Sequence, residues 1–153
     1  MYTEQLTQKL AYIDVINSQS VNNTSVSSLG VDMGRVKRLL YIITPTNVGA
    51  AGTIDGRLQS SATSNFATAH NIANSNFTQL TANNVATTVE VRADQVVGGN
   101  AGDRYVRLNL TGGGNAVTVT AIGLGGDAEQ CPASQYNLNT TYLTVGTVTS
   151  GPS

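Results

Sequence analysis

The residues that could support catalysis are few and widely separated. The chain has one histidine, His70, and one cysteine, Cys131. Hydrolytic mechanisms generally need a base, a nucleophile and a group that orients them, and zinc sites need several His or Cys ligands. We therefore interpret His70 as an ordinary loop histidine rather than a catalytic or metal-binding one, and Cys131 as an idle thiol. The sequence predicts no enzyme activity, no metal and no cofactor.

The acidic residues and the glycines form no recognised motif either. No stretch has the closely alternating acidic spacing of a calcium loop. Spacing does not exclude the paired carboxylates of a glycosidase, but a chain with no Trp, six Tyr and two Phe is poorly equipped for a sugar cleft. The glycine runs at 98–99, 112–114 and 125–126 lack the Lys and Ser/Thr that follow in a phosphate-binding loop. We interpret them as turns.

Arg104 is the one charge for which the pattern predicts a structural role. By strand alternation it shares a face with Val106 and Leu108, at the edge of the expected core. A partly buried charge needs a partner, and Asp94 stands at the other end of the preceding loop. The sequence predicts that Arg104 and Asp94 form a structural clamp, with a binding role as the alternative.

Charge and targeting signals narrow the function classes. Lys and Arg total eight and Asp and Glu nine, so 11% of the chain is charged, against about 25% in an average soluble protein. Nucleic-acid binding normally requires a basic excess, and the net charge of -1 argues against that class. No apolar run approaches the length of about 18 residues that a membrane helix needs. Residues 1–5 lack the start of a signal peptide, so we expect synthesis in a host cytoplasm.

The elements that position these residues are predicted to be strands. Short segments rich in Val, Ile, Thr and Tyr alternate with Gly and Asn clusters. We predict strands at 36–44, 53–59, 87–93, 104–111 and 116–124, with weaker ones at 10–17, 24–33 and 75–81. The 36–44 segment is apolar on both faces, which indicates a central strand covered on both sides. The Gly-rich turn at 112–115 predicts that 104–111 and 116–124 pair as a hairpin.

About eight short antiparallel strands in one domain predict an all-β fold, either a β-sandwich or a jelly roll, with extended N- and C-terminal arms. One helical turn is expected near 92–96. At the N-terminus, a short helix capped by Thr3 competes with a strand that includes Tyr12 and Ile13. We divide the chain into an N-terminal arm and first strands at 1–30, a sandwich core at 31–126 and a C-terminal arm at 127–153.

Both terminal segments carry apolar side chains in a polar background. One interpretation is a frayed, solvated terminus, and the other is an arm that becomes ordered against a neighbouring subunit. On the second interpretation, the candidate assembly-interface residues are Leu6, Leu10, Tyr12, Ile13, Tyr136, Leu138, Tyr142, Leu143 and Val145.

Four stretches carry a resemblance to a known group of proteins. They are VDMGRVKRLLYII at 31–43, GAAGTIDGRLQSS at 49–61, VEVRADQ at 89–95 and GDRYVRL at 102–108, and the likeness ends near GGDA at 125–128. In these stretches the chain resembles the capsid decoration (cement) and auxiliary head proteins of tailed bacteriophages. The likeness lies in sheet and turn positions and carries over no functional residue.

This resemblance implies a virion protein that binds and stabilises a phage capsid. Its partners would be the major capsid protein and further copies of the chain, with a homotrimer as the first expectation, and neither nucleic acid nor membrane. Low charge agrees with that role, because a surface poor in Lys and Glu loses less to desolvation when neighbours cover it. The alternatives are a host-surface or carbohydrate-binding β-sandwich module of a phage fibre or spike, and a head-completion or tail-tube component.

Overall fold

The computed structural model describes residues 6–97, 100–130 and 132–138, and it shows two stacked antiparallel sheets. The four-stranded sheet has the order β1-β9-β4-β7. The five-stranded sheet has the order β2-β8-β5-β6, with β3 also pairing with β8. The strands are β1 (Leu10–Val21), β2 (Ser25–Ser27), β3 (Val31–Asp32), β4 (Val36–Val48), β5 (Thr53–Ser61), β6 (His70–Asn71), β7 (Thr87–Arg92), β8 (Tyr105–Gly113) and β9 (Val117–Ala128). The helices are α1 (Leu6–Lys9), α2 (Ala93–Val97) and a 3-10 helix at Ala133–Tyr136.

The core lies between the two sheets and follows from strand alternation. Successive side chains of a strand point to opposite faces, so one face of each long strand supplies apolar residues to the core. β4 contributes Leu39, Tyr41 and Ile43, and all three are fully buried. Facing them from the other sheet are the fully buried side chains of Ile54, Leu58, Val106, Leu108 and Leu110. The predicted all-β sandwich is therefore confirmed.

The predicted hairpin between 104–111 and 116–124 is wrong. β8 pairs with β2, β3 and β5, whereas β9 pairs with β1 and β4 in the other sheet. The turn at 114–116 therefore carries the chain from one sheet to the other. The physical reason is that each strand has one strongly apolar face, and packing these faces against each other across the sandwich buries both. Gly114 has φ +71°, and a Cβ there would collide with the carbonyl of Ala51.

Two further strand predictions need correction. The 75–81 segment forms only an isolated bridge between Leu80 and Ile54, and a short strand at His70–Asn71 pairs with β5 instead. β4 is central, as predicted, because it pairs with both β7 and β9. Leu40 and Ile42 on its second apolar face are half-buried, so the expected cover on that side stays a prediction.

Both the short helix and the strand predicted for the N-terminus occur, because α1 is a single helical turn and β1 begins directly after it. β1 belongs to the four-stranded sheet, and its register shifts between Tyr12 and Asp14. This bulge turns both Ile13 and Asp14 toward the sandwich interior. No helix in the described part of the chain is long and apolar enough to span a bilayer.

Glycines in β9 make room for that bulge. A Cβ at Gly123 would lie 2.9 Å from Asp14 Cβ and 2.9 Å from Tyr41 Cε1. A Cβ at Gly125 would collide with the Ile13 side chain. The glycine-rich run in β9 is therefore part of a strand, and the interpretation of 125–126 as a turn is wrong.

Candidate interaction surface

The outer face of the four-stranded sheet carries a continuous apolar surface. Residues paired across an antiparallel sheet lie on the same face, and the register aligns Tyr12 with Leu124 and Leu40 in one row. The next row aligns Val15 with Ile122 and Ile42. We call these six residues the outer-face patch: Tyr12, Val15, Leu40, Ile42, Ile122 and Leu124.

The outer-face patch is partly accessible although it lies in the middle of the sheet. Ile122 is 37% exposed, and Leu10, in the row beside the patch, is 39% exposed. Tyr12, Leu40 and Leu124 are half-buried. Val15 is mostly buried, yet it does not belong to the cluster of core residues between the sheets.

Polar and charged groups border the outer-face patch on two sides. On the β7 side the two rows end at Glu90 and Thr88. At one end of the sheet, Arg38 and Asp127 form an exposed ion pair with an N–O distance of 2.8 Å. An apolar centre with a polar rim is the usual anatomy of a protein–protein interface.

A hollow adjoins the outer-face patch where Gly126 leaves a gap in the row between Leu10 and Arg38. Its volume is about 290 Å³. Leu10, Leu40 and Leu124 form its apolar walls, and its charged margin consists of Lys9, Arg38, Glu90 and Asp127. The hollow is large enough to receive a single protruding side chain.

The predicted interface residues at the two ends of the chain come together at the start of β1. The amide N of Leu138 donates to the carbonyl O of Tyr12 at 2.6 Å, and the amide N of Tyr12 donates to Asn137 Oδ1 at 2.7 Å. Leu6 is largely exposed, and Tyr136 packs against the core. The C-terminal segment is therefore joined to the edge strand of the four-stranded sheet.

Not every candidate interface residue can serve as one. Ile13 is only 8% exposed and belongs to the core, because the bulge in β1 turns it inward, so its assignment to an interface is wrong. Tyr142, Leu143 and Val145 lie outside the described residues. Leu40, Ile42, Ile122 and Leu124 were missed as surface residues, although the apolar second face of 36–44 was a signal for them.

The predicted clamp between Arg104 and Asp94 is also wrong. Arg104 Nε and Nη2 donate to the two carboxylate oxygens of Asp32 at 2.6 and 2.7 Å, whereas Asp94 pairs with Arg92 at 3.1 Å. β3 pairs with β8 so that Asp32 lies opposite Tyr105, next to Arg104. Arg104 precedes the strand, so alternation does not place it on the core face. Its side chain is 56% exposed.

The Arg104–Asp32 pair fixes a turn at one end of the sandwich. Asp32 also accepts a hydrogen bond from the amide N of Gly34 at 2.8 Å. The hydrogen bonds from Arg104, more than any other contact, lower the pKa of Asp32 below its ordinary value of 3.8. The pair therefore ties β3 to β8.

His70 takes part in a buried polar contact. Asp103 Oδ2 accepts from Ser60 Oγ at 2.6 Å and lies 2.9 Å from His70 Nδ1. In a serine hydrolase the imidazole stands between the hydroxyl and the carboxylate. Here Ser60 and His70 both contact the same carboxylate, so the imidazole does not take a proton from the serine. The arrangement anchors the short strand β6 to the loop before β8.

Asp14 is a buried carboxylate, and the groups described below that donate hydrogen bonds to it are uncharged. It accepts hydrogen bonds from the amides of Val15, Leu29 and Gly30 at 2.9, 3.1 and 3.2 Å. The hydroxyl of Tyr41 also donates to it. Desolvation by burial raises the pKa of Asp14 above 3.8 and outweighs these hydrogen bonds. The carboxylate joins β1, β4 and the 28–30 loop inside the sandwich.

Comparison of the chain with family models, with curated proteins and with solved structures gave no match. The function must therefore be inferred from the chain's own residues and surfaces. Of these, the outer-face patch is the feature that the core between the sheets does not account for, since its side chains lie on the face turned away from the second sheet.

Proposed function

We propose that this protein is a structural component of a tailed-bacteriophage virion that binds the assembled capsid and stabilises it. The observation that carries the proposal is the outer-face patch with its polar rim. Larger exposed apolar patches with polar rims mark sites of protein interaction. The resemblance to decoration proteins, which covers roughly residues 31–133, is the basis for proposing a phage capsid as the partner.

The physical basis of stabilisation is preferential binding. A protein that binds the assembled shell and not its separated subunits shifts the equilibrium toward the shell. Several copies acting together need only modest contacts each, because binding of the first raises the effective concentration of the others. We propose a homotrimer bound to the major capsid protein as the working arrangement.

The outer-face patch is suited to such a contact. Full burial of a Leu or Ile side chain contributes about 1.5–3 kcal/mol. Ile122 and its neighbours are partly buried already, so each adds a fraction of that amount. Because they lie on a sheet and not on a loop, binding them requires little additional ordering of the backbone.

The test is a binding titration on capsids that lack this protein. We expect purified protein to co-sediment with them and to saturate at a fixed ratio to the major capsid subunit. Raised resistance of the shell to heat should accompany saturation. Failure to bind, or binding without saturation, would contradict the proposal and would favour a fibre, spike or connector role.

A pair of variants locates the binding surface. Ile122→Asp places a charge in the outer-face patch, and we expect it to weaken capsid binding about tenfold or more, since tenfold corresponds to 1.4 kcal/mol and an unpaired buried charge costs at least that much. Val85→Asp is the matched control, because Val85 is 47% exposed and lies in the loop before β7, outside the outer-face patch. Equal binding by both variants would show that another surface meets the capsid.

A further inference from the structure

The β7 strand forms one edge of the four-stranded sheet and pairs there with β4 alone. The opposite edge strand, β1, is already hydrogen-bonded at Tyr12 to Asn137 and Leu138. With six residues, β7 is also longer than β2, β3 and β6 in the second sheet. An exposed edge strand presents unpaired main-chain N–H and C=O groups and can take up a further strand.

Alternation along β7 shows which of its main-chain groups face away from β4. The amide N of Arg92 donates to Gln95 Oε1 at 2.9 Å, so it does not bond to β4. In an antiparallel ladder, successive residues direct their N–H and C=O groups to opposite sides. The N–H and C=O of Thr88 and Glu90 therefore point outward as well. Within the described part of the chain, they have no main-chain partner.

A cavity of about 410 Å³ lies against this edge. Its walls are residues 72–75, which follow β6 in the second sheet, together with Glu90, Val91 and Gln95. Val91 belongs to the core and marks the side of β7 that faces the second sheet. Successive side chains of a strand point to opposite faces, so every second side chain of a strand added to β7 would point to that side. One of them would enter the cavity.

Glu90 points to the other side of β7, where it ends a row of the outer-face patch. It is exposed and forms no ion pair with any residue of the described part of the chain. A charge on an edge strand discourages indiscriminate pairing. Opposite charges directly across from each other on two strands are favourable, whereas like charges are not. The residue opposite Glu90 in an added strand is therefore expected to be Lys or Arg.

We propose that the β7 edge binds an extended segment of a partner protein as an added strand, with Lys or Arg opposite Glu90 and an adjacent apolar side chain in the cavity beside Val91. Main-chain hydrogen bonds supply affinity in strand addition, and pockets for alternate side chains supply specificity. The added strand extends the sheet beside the outer-face patch. The inference deepens the proposed function by naming how the partner is held, and it rests on that function for the partner's identity.

The cavity favours a segment of different sequence over a second copy of β7. Two β7 strands paired about Val89 would place Thr87, a small polar residue, beside Val91 and leave the cavity without an apolar side chain. Pairing about Glu90 would set two carboxylates against each other, which is unfavourable. Pairing about Val91 would need the amide of Arg92, which a side chain of α2 already occupies.

A peptide titration followed by NMR tests the site. The probe is a blocked peptide of sequence Thr-Val-Lys-Val-Thr, added to the full-length, isotope-labelled protein. We expect the amide signals of Thr88 and Glu90 to shift most and their hydrogen exchange to slow. A peptide with Glu in place of Lys is the matched control, and it should bind at least about threefold more weakly, because it places like charges opposite each other.

Two variants test the edge and the cavity separately. Thr88→Pro removes an outward N–H, the place where an edge strand tolerates proline, and it should weaken peptide binding about threefold or more through the lost hydrogen bond. Ala73→Asp puts a charge in the cavity wall, leaves β7 unchanged and should also weaken binding. Ala116→Asp is the matched control, because Ala116 is exposed in the turn before β9. It should bind the peptide as the unsubstituted protein does.

Three results would overturn the inference. Peptide at millimolar concentration that leaves the signals of Thr88 and Glu90 unshifted would show that the edge takes no added strand. Unweakened binding by both Thr88→Pro and Ala73→Asp would place the peptide elsewhere. Slow exchange of the Thr88 and Glu90 amides in concentrated protein without peptide, lost on dilution, would show that a second copy occupies the edge.

The capsid titration separates this inference from the proposed function. Thr88→Pro should weaken binding to capsids that lack this protein. If it binds them as tightly as the unsubstituted protein, the capsid partner does not use the β7 edge, and the inference is wrong while the proposed function stands. If neither protein binds capsids, the proposed function is contradicted, and the peptide titration still decides whether the edge takes an added strand.

Discussion

The two faces of the four-stranded sheet are built from the same strands and differ in what covers them. On the inner face, Leu39, Tyr41 and Ile43 are fully buried against the second sheet. On the outer face, the intervening residues Leu40 and Ile42 are nearly as apolar but only half-buried. The inner face explains why the protein folds. The outer face has no comparable role in the isolated sandwich, which is the reason to assign it to binding.

Substitutions of the adjacent residues Leu39 and Leu40 on β4 test this difference between the two faces most directly. We expect Leu39→Ala to lower the free energy of unfolding by about 2–5 kcal/mol, the usual cost of a cavity in a packed core. Leu40→Ala should cost roughly 1 kcal/mol or less, because less of that side chain is buried. Urea denaturation of both variants measures the difference. Similar losses would mean that the outer face is covered as fully as the inner one.

The buried carboxylate on the inner face should give the next largest effect. Asp14→Ala removes the acceptor of three main-chain amides and of the Tyr41 hydroxyl. Since an unsatisfied buried donor costs about 1–3 kcal/mol, we expect a loss of roughly 2–3 kcal/mol after partial relaxation. Chemical denaturation at neutral pH measures it. A loss well below 1 kcal/mol would show that water reaches these donors readily.

Asp14 also predicts how stability depends on pH. Its pKa in the folded protein is raised above 3.8, so the folded state binds this proton more readily than the unfolded state does. The contribution of Asp14 to stability therefore increases as pH falls from neutral through the raised value, and it is complete below 3.8. Asp14→Asn, which has no titrating group, should lack this increase when unfolding of both proteins is measured across the same pH range.

Sequence patterns predicted the strands well because alternation reports burial locally. The apolar faces of Val106 to Leu110 and of Ile54 to Leu58 are the ones that the structure buries. The sheet to which a strand belongs is a non-local property, and a glycine-rich turn is compatible both with a hairpin and with a crossing between sheets. For that reason the pairing of 104–111 with 116–124 was wrong.

The candidate surface was only partly predictable for a related reason. The apolar second face of 36–44 was visible in the sequence, but apolar character does not distinguish a covered face from an exposed one. Ile13 was assigned to an interface because a bulge in β1, which depends on Gly123 and Gly125 in a distant strand, is not visible in the local pattern. The predicted pairing of Arg104 with Asp94 was wrong for the same reason, because Asp32 comes close to Arg104 only through the pairing of β3 with β8.

Among these predictions, we expect the Asp32–Arg104 pair to have the smallest effect on stability. Its dependence on pH should also differ most from that of Asp14. We expect a double-mutant cycle of Asp32→Asn and Arg104→Gln to show a favourable coupling that weakens with added salt, because exposed ion pairs are screened. The cycle of Arg92→Gln and Asp94→Asn is the matched control, and its coupling should be close to zero, since both side chains are more than half exposed.

The pH dependence of this pair should have the opposite sign to that of Asp14. The pKa of Asp32 is lowered in the folded protein, so its contribution to stability is present above 3.8 and is lost as pH falls through the lowered value. Lowering the pH should therefore weaken the Asp32–Arg104 coupling, whereas it should increase the contribution of Asp14 to stability in the same titration. A coupling that persists below the lowered pKa of Asp32 would show that hydrogen-bond geometry rather than charge holds β3 to β8.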